Sequence, residues 1–562
     1  FRGEINRVFG ITFNEKESFD NAGQSGETKI AQMVATKDFP DIAVSLGGSN
    51  PLGEAGKLWD IAPFIEECMP NYMKIVNSAD EIKRQFDTQV NEKGERLSFH
   101  RLRETVVRYN DPEYDFENYK EIIDSPMAKS YIYVRDDILK QIYPEALTVK
   151  DYQNIYVEKG EYTREQITDV TIKSREDFKE LLKKINELGV TEMGRKVWPT
   201  YIFDGGDNWN LLTQLSPVLA GSGFADSQVN DVNYFDVEQK KIVSTVEQDW
   251  FKDNMKFFTS LVQEGLASTE SLIDDSAAFK QKVNNGEYAV LYGSTTVPTA
   301  EQLAAADKPY AYRRVMLDIP YNNKKFAHID TNYEAFTGYP IAFFKDSMTE
   351  AEVKQFLRFL DFFYTETGTI FAHWGSEKSG LHKRDENGDL VFTDEAFEKA
   401  MVYGKEDQAL VDYGVCSFPR IDLFMNTDNP AYSVNNLKPA QVYSKYEKER
   451  IPAEYQKAWD WNLFEEPIEF PALNFKWTYW NYTSSVEGIK TLNNARQEWE
   501  DALTNVYIAK NDEEFEKFYS DAVKLMQARG LDEQSVEEMN TLLKEKNIAG
   551  YYNDFLAWVD AQ

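Results

Sequence analysis

Short apolar runs alternate with long amphipathic stretches along nearly the whole chain, and this alternation limits the fold more than any other feature. Candidate strands fall at 11–13, 42–45, 131–134, 288–292, 314–317 and 339–344. Between them lie helices with readable starts and stops. Ser174 opens one, with Asp177 three residues on as the acid of a capping box. Phe178, Leu181, Leu182, Ile185 and Leu188 follow at helical spacing, and Gly189 ends the helix. Thr349 and Glu352 open a second helix, which carries Val353, Phe356, Leu357, Leu360 and Phe363. Asn511 and Glu514 open a third, with Phe515, Phe518, Val523 and Met526, ending at Gly530. Alternation of this kind predicts α/β lobes with mainly parallel sheets. From about Ala400 onward the pattern becomes mostly helical, with a Trp-rich irregular stretch at 459–482.

With 562 residues the chain exceeds what one core usually holds, so two or more domains are expected. The net charge is −33, which repels phosphate backbones and anionic lipid heads. Nucleic acid is therefore excluded as an expected partner. No run of 18 apolar residues predicts a membrane span. The two cysteines, Cys68 and Cys416, fit no metal spacing and are expected to be buried thiols. No signal peptide is seen, and the opening "FRGEINRVFGITF" reads as though it enters in mid-element.

Catalytic signatures are missing from the sequence. It holds no GxSxG elbow, no GxxxxGK[ST] phosphate loop and no GxGxxG. His100, His328, His373 and His382 form no HExxH pair, and neither a metal nor a cofactor is expected. "DENGD" at 385–389 resembles the start of a calcium loop. Gly388 stands at its fourth position and Ala396 at its twelfth, where an EF-hand needs Gly at the sixth and Glu at the twelfth. Asn387-Gly388 instead predicts a type I′ hairpin turn. Paired carboxylates for glycoside hydrolysis cannot be picked out among 95 acids without positions in space.

Aromatic and small polar clusters point further. "WPTYIFDGGDNWN", 198–210, holds two Trp, a Tyr, two Asp and two Asn with no amphipathic period. An aromatic plane can cover the apolar face of a sugar ring while carboxyl and amide groups meet its hydroxyls. The equal alternative is a loop whose Trp residues plug the core. "FAHWGSEKSG", 371–380, and "NFKWTYWNYT", 474–483, offer further aromatic positions. In "ATKDFPDIAVSLGGSNP", 35–51, a short apolar run dissolves into Ser45, Gly47, Gly48, Ser49 and Asn50. "GSTT", 293–296, does the same after 288–292. Such tails suit ligand loops beyond the carboxyl ends of parallel strands.

Taken in order, these segments resemble the extracellular solute-binding proteins of carbohydrate ABC transporters, particularly the long lipoprotein type of Gram-positive bacteria. "MVATKDFPDIAV" is similar to their "LASGDLPDI", with Lys37 replacing the usual Gly. "LWDIAPFIEECMPNYMK", "YIYVRDDILKQI" and "REDFKELLKKINELG" match segments that follow in that family. So do "FFTSLVQEGLAS", "FKQKVNNGEYAVLYG" and the stretch beginning "TGYPIAFFKDSMTEAEV". "HWGSEKSGLHKRDENGDLVFT" stands where the family shows a "G-x-E-G-x-H-Y" turn.

The resemblance implies an α/β, two-lobed periplasmic-binding-protein-like fold of the second type, with a largely helical C-terminal extension. Residues 1–132 and 339–400 would form the N-terminal lobe. Residues 133–338 and 401–562 would form the C-terminal lobe, with the ligand in the cleft between lobes. The implied function is binding of a carbohydrate, an oligosaccharide by the size of the chain, and its delivery to the permease subunits of an ABC transporter. No catalysis is expected, and the protein is expected to be a monomer. The family's lipidated cysteine is missing from this chain, so a cell-surface lipoprotein attached to the cytoplasmic membrane is an expectation only. Two alternatives stay open: a glycoside-active enzyme, and a peptide- or lipid-precursor-binding protein of the same fold. Trp209, Trp374 and Trp198 are the expected stacking residues. Asp207, Asn208, Asn50 and Glu377 are expected to bond hydroxyls, with Ser45, Ser49, Tyr201 and Ser294 beside them. Arg135, at the first crossing, is expected either to pair with a carboxylate across the hinge or to serve the structure.

Overall fold

The computed structural model describes residues 2–12, 33–44, 51–91, 93–102, 131–159, 163–202, 219, 228–230, 232–236, 239–292, 297–319, 329–330, 335–336, 340–374, 376–388, 390–396, 468–469, 486–547 and 550–561. The chain divides into two compact units. Unit 1 takes Phe1–Ile123 and Tyr333–Glu447; unit 2 takes Asp124–Asn332 and Lys448–Gln562. The strands, in chain order, are β1 (Ile42–Val44), β2 (Tyr131–Arg135), β3 (Thr171–Ile172), β4 (Thr191–Glu192), β5 (Arg195–Lys196), β6 (Thr200–Tyr201), β7 (Gln228–Asn230), β8 (Asn233–Asp236) and β9 (Lys241–Ser244). They continue with β10 (Ala267–Ser268), β11 (Val290–Leu291), β12 (Tyr312–Leu317), β13 (Ile329–Asp330), β14 (Ile341–Phe343), β15 (His382–Arg384), β16 (Leu390–Phe392) and β17 (Ile468–Glu469).

In unit 2 the pairings join six strands. β10 pairs with β6 in parallel. A parallel bridge from Trp198 to Tyr288 carries the sheet on from β6 to β11. β2 is antiparallel to both β11 and β12, and β12 is parallel to β3. The order is therefore β10-β6-β11-β2-β12-β3, with five strands in one direction and β2 alone reversed. The expectation of a mainly parallel sheet holds here, with one exception that has a simple cause. β2 is the strand by which the chain first enters the unit, so no crossover helix within the unit sets its direction. Unit 1 repeats this device. β14, soon after the second passage, runs antiparallel to β1 and to the segments bridged at Leu58 and Phe99.

The helix signals hold with small shifts. Thr349 and Glu352 form a complete capping box on helix Glu350–Phe362. Ser174 caps helix Arg175–Glu187 through the Asp177 amide, while the Asp177 carboxylate accepts instead from the amide of Lys173. Leu188, expected on the buried stripe, is exposed because that helix has ended before it. In helix Asp512–Ala528 the buried stripe is Phe515, Tyr519, Ala522 and Met526, one face round from the expected Phe518 and Val523. Ile11 is not in a strand: it follows Gly10, which ends helix Arg2–Phe9, and Phe13 lies outside the described residues. The described end of the chain, 486–547 and 550–561, is mainly helical as expected. Its Asn540 side chain accepts from the Ile242 amide at 2.8 Å and donates to the Ile242 carbonyl at 2.9 Å, occupying backbone groups of β9 as a further strand would.

The core of unit 1 gathers Tyr72, Phe86, Phe99, Phe356, Phe359 and Phe363 around the helices, with Cys68 buried among them as expected. Helix Pro70–Val76 has no side-chain cap of its own. Asp361, from helix Glu350–Phe362, supplies one from 290 residues away: it accepts from the Asn71 side chain at 2.8 Å and the Tyr72 amide at 2.9 Å. Asp361 is 5 % exposed, so truncation leaves buried donors unpaired. Asp361→Ala should cost about 2 kcal/mol in urea unfolding. A loss below about 0.5 kcal/mol would mean that water replaces the carboxylate.

Candidate functional site

The shared direction of β10, β6 and β11 places their carboxyl ends side by side, about 5 Å apart strand to strand. In α/β sheets this is the end beyond which ligands bind. Three side chains tie the ends together. The Tyr201 hydroxyl accepts from the Tyr292 amide at 2.9 Å and donates to the Tyr292 carbonyl at 3.2 Å, bracketing one residue of the neighbouring strand. Thr200 bonds the Tyr292 hydroxyl. Ser271, just past β10, accepts from the Ile202 amide at 3.4 Å and donates to the Ser268 carbonyl at 3.2 Å. Beneath them Tyr201 packs edge-on to Phe279 at 4.9 Å and against Tyr288 at 5.1 Å. Burial holds the Tyr292 hydroxyl well above its ordinary pKa, against the Thr200 hydrogen bond, so it stays a neutral hydrogen-bonding group.

The sequence-predicted residues separate on this frame. Tyr201 is 1 % exposed: it is a floor beneath the strand ends, its hydroxyl taken by backbone. The segments holding Asp207, Asn208 and Trp209 and holding Ser294 begin directly after the joined ends of β6 and β11, but these four residues lie outside the described ones. So do Ser45, Ser49 and Asn50, which follow β1 in unit 1. Trp374 is the last residue of helix Glu366–Trp374, and only its backbone is described. Glu377 is exposed and opens the short 3-10 turn Glu377–Ser379.

Trp198 and Arg135 stand at the other end of the unit 2 sheet. Trp198 precedes β6, and the Lys196 ammonium lies 3.9 Å from its ring centroid, so one ring face already holds a cation. Arg135 ends β2, and the reversal of that strand carries it away from the joined carboxyl ends. Its guanidinium stacks 3.5 Å over Tyr310. It donates to Asp137 at 2.8 Å, to the Gly286 carbonyl at 2.9 Å and to Glu192 at 3.3 Å. Lys308 completes the group at 2.8 Å from Glu192. Burial alone would lower the Arg135 pKa, but the hydrogen bond and charge of Asp137 outweigh it and raise the value. Both carboxylates belong to unit 2, so among the described residues the structural role of Arg135 prevails over a pairing across the hinge.

The "DENGD" stretch forms a hairpin, β15 antiparallel to β16. Its turn is not type I′. Gly388 has φ +89°, but Asn387 has no positive φ, and the turn closes through Gly388 N–H to Asp385 C=O at 3.1 Å. The five-residue span leaves room for a type I turn ended by a left-handed glycine. Among the described residues no group of three or more His, Cys, Asp or Glu is placed to hold a metal ion.

One residue that the sequence reading passed over stands at the carboxyl end. Ile273, five residues past β10, is 88 % exposed. The Lys282 ammonium fixes the residues around it, bonding Glu270 and Asp274 at 2.8 Å each. Burial pulls the Lys282 pKa down, but hydrogen bonds to Asp274 and Glu270 outweigh it and hold the value above the ordinary lysine range. The available signal was a lone Ile in "ESLIDDS" that matches no helical or strand period.

No family model matches the sequence, and no curated protein matches it. Solved structures do. The alginate-binding protein AlgQ2, solved without calcium ion, matches with a TM-score of 0.54 at 12% identity, over 98% of this chain and 93% of that one. An extracellular solute-binding protein from Bifidobacterium longum subsp. infantis matches at 0.54 and 11%, over 94% and 90%. The S. pneumoniae ABC-transporter substrate binding protein FusA, an EF-hand mutant in complex with fructo-nystose, matches at 0.53 and 13%, over 99% and 95%. At such identity the likeness is one of fold. The chain has the α/β fold of these solute-binding proteins.

Proposed function

We propose that this chain is a non-enzymatic receptor that binds an oligosaccharide and delivers it to the permease of an ABC transporter. The observation that supports this best is the likeness of fold over nearly the full length to an alginate-binding protein and to an ABC-transporter substrate binding protein in complex with fructo-nystose. The stitched carboxyl ends of β6, β10 and β11 agree with it, since they form a fixed base from which ligand loops can start. Within the same proposal the protein is a monomeric, extracellular lipoprotein of a Gram-positive bacterium. The loops carrying Asp207, Asn208, Trp209 and Ser294 in unit 2, and Asn50, Trp374 and Glu377 in unit 1, are proposed to meet the ligand.

Titration calorimetry against fructo-, manno-, xylo- and cello-oligosaccharides and a peptide panel tests the proposal. The expected result is saturable binding of at least one oligosaccharide, with none of it cleaved on prolonged incubation. Binding of peptides alone, or sustained release of shorter sugars, would reject it. In the same assay Asn50→Ala should weaken binding while thermal stability stays nearly unchanged.

A further inference from the structure

We infer that Ile273 and the acidic turn that presents it are a ligand-contact edge of unit 2, and that this edge selects a neutral, hydroxyl-rich glycan over an anionic one; the inference rests on the receptor function proposed above. Its position is set by covalent reach and hydrogen bonds. Ser271 bonds the Ile202 amide at the end of β6, and Ile273 follows two residues later, within about 7 Å along the chain. Ile273 therefore stands beside the ends of β6 and β10, on the side of the sheet where α/β proteins hold ligands.

Its posture is fixed. The Ile273 amide donates to the Glu270 carbonyl at 3.1 Å, and Glu270 and Asp274 on either side are clasped by Lys282. Asp275, next in line, accepts from the Ala278 amide at 2.8 Å and so starts helix Ser276–Asn285. A large apolar side chain is thus held out in water by a clamped turn and does not fold back onto the protein. Covering it with the C–H face of a sugar ring would remove apolar surface from water without an ordering cost on the protein side.

The charge around it decides the ligand class. Three carboxylates, Glu270, Asp274 and Asp275, stand against one ammonium, Lys282. Glu270 is 62 % exposed, so its remaining acceptor sites face solvent. Carboxylate oxygens accept from sugar hydroxyls and repel a uronate.

The test is calorimetry of the wild-type chain and Ile273→Ser with neutral fructo-, manno- and cello-oligosaccharides and with oligouronates. At 88 % exposure the substitution removes no core contact, so the thermal midpoint should not move. The expected result is binding of a neutral oligosaccharide, weakened about tenfold in Ile273→Ser, with oligouronates bound more weakly by the wild type. Equal affinity of variant and wild type for the bound glycan would overturn the inference and leave the receptor function standing. Preference for an oligouronate would overturn it too. A wild-type chain that bound no glycan would overturn both.

Discussion

Gly530→Ala is expected to lower stability by about 3 kcal/mol or more. Gly530 has φ +110°, in a region that a side chain enters only under strain. A Cβ there would come within 2.1 Å of the Gly488 carbonyl oxygen and 2.7 Å of its Cα. The obstacle is backbone and cannot rotate away. Gly488, in helix Glu487–Asn494, is also tight: its own Cβ would stand 1.9 Å from the Ser535 Oγ and 2.7 Å from the Gly530 carbonyl oxygen. The pair lets the helices flanking residue 530 close on the start of helix Glu487–Asn494. Gly189→Ala is the control. That glycine also ends a helix, at φ +60°, but its Cβ would meet nothing within 4 Å. Only the backbone cost of about 1 kcal/mol applies there. Thermal unfolding of both variants decides the matter: equal losses would show that the Gly488 contact relaxes.

Arg135→Met should cost about 3–5 kcal/mol, because it breaks a buried ion pair from one side only. The variant leaves Asp137 and Glu192 short of their shared cation and the Gly286 carbonyl short of a donor. Methionine keeps the packing on Tyr310, so the loss reports charge and hydrogen bonding more than volume. Lys308 remains beside Glu192 and sets the lower end of the range. Since Arg135 stands at the sheet end opposite the joined strand ends, folded Arg135→Met should bind ligand as the wild type does. Lost affinity with full stability would give Arg135 the ligand role that its position argues against.

The same two regions show what could be read from sequence. Thr349 with Glu352, and Asn511 with Glu514, marked helix starts because a cap is a local contract between residues three apart. The run at Ile42–Val44 was legible as a strand for the same local reason. Gly189 and Gly530 looked alike, yet only Gly530 has another backbone pressed against it, and that neighbour is distant in sequence. Arg135 stayed evenly between a hinge pairing and a structural role because no local pattern says which way a strand runs. Once β2 is reversed, its last residue lies among the amino ends of its neighbours. Tyr201 drew attention as an aromatic in a polar cluster, but composition does not tell a floor from a wall. Trp198 carried the same ambiguity, and Lys196, two residues away, already covers one face of its ring. Ile273 was overlooked because a single exposed Ile acquires meaning only from where its turn stands.

The building of each unit from two separated stretches of chain also has a consequence in time. Each unit is closed by a segment that is made late. Trp59 donates to the Met348 carbonyl across 289 residues, and Ile242 pairs with Asn540 across 298. A ribosome must therefore release more than half of the chain before the unit 1 sheet can be completed, and nearly all of it before Asn540 can cover β9; loops of that length are slow to close. The growing chain stays unfinished through most of its synthesis. A chain cut after β12 would leave β1 with no β14 to pair with, and should fail to form unit 1 at all.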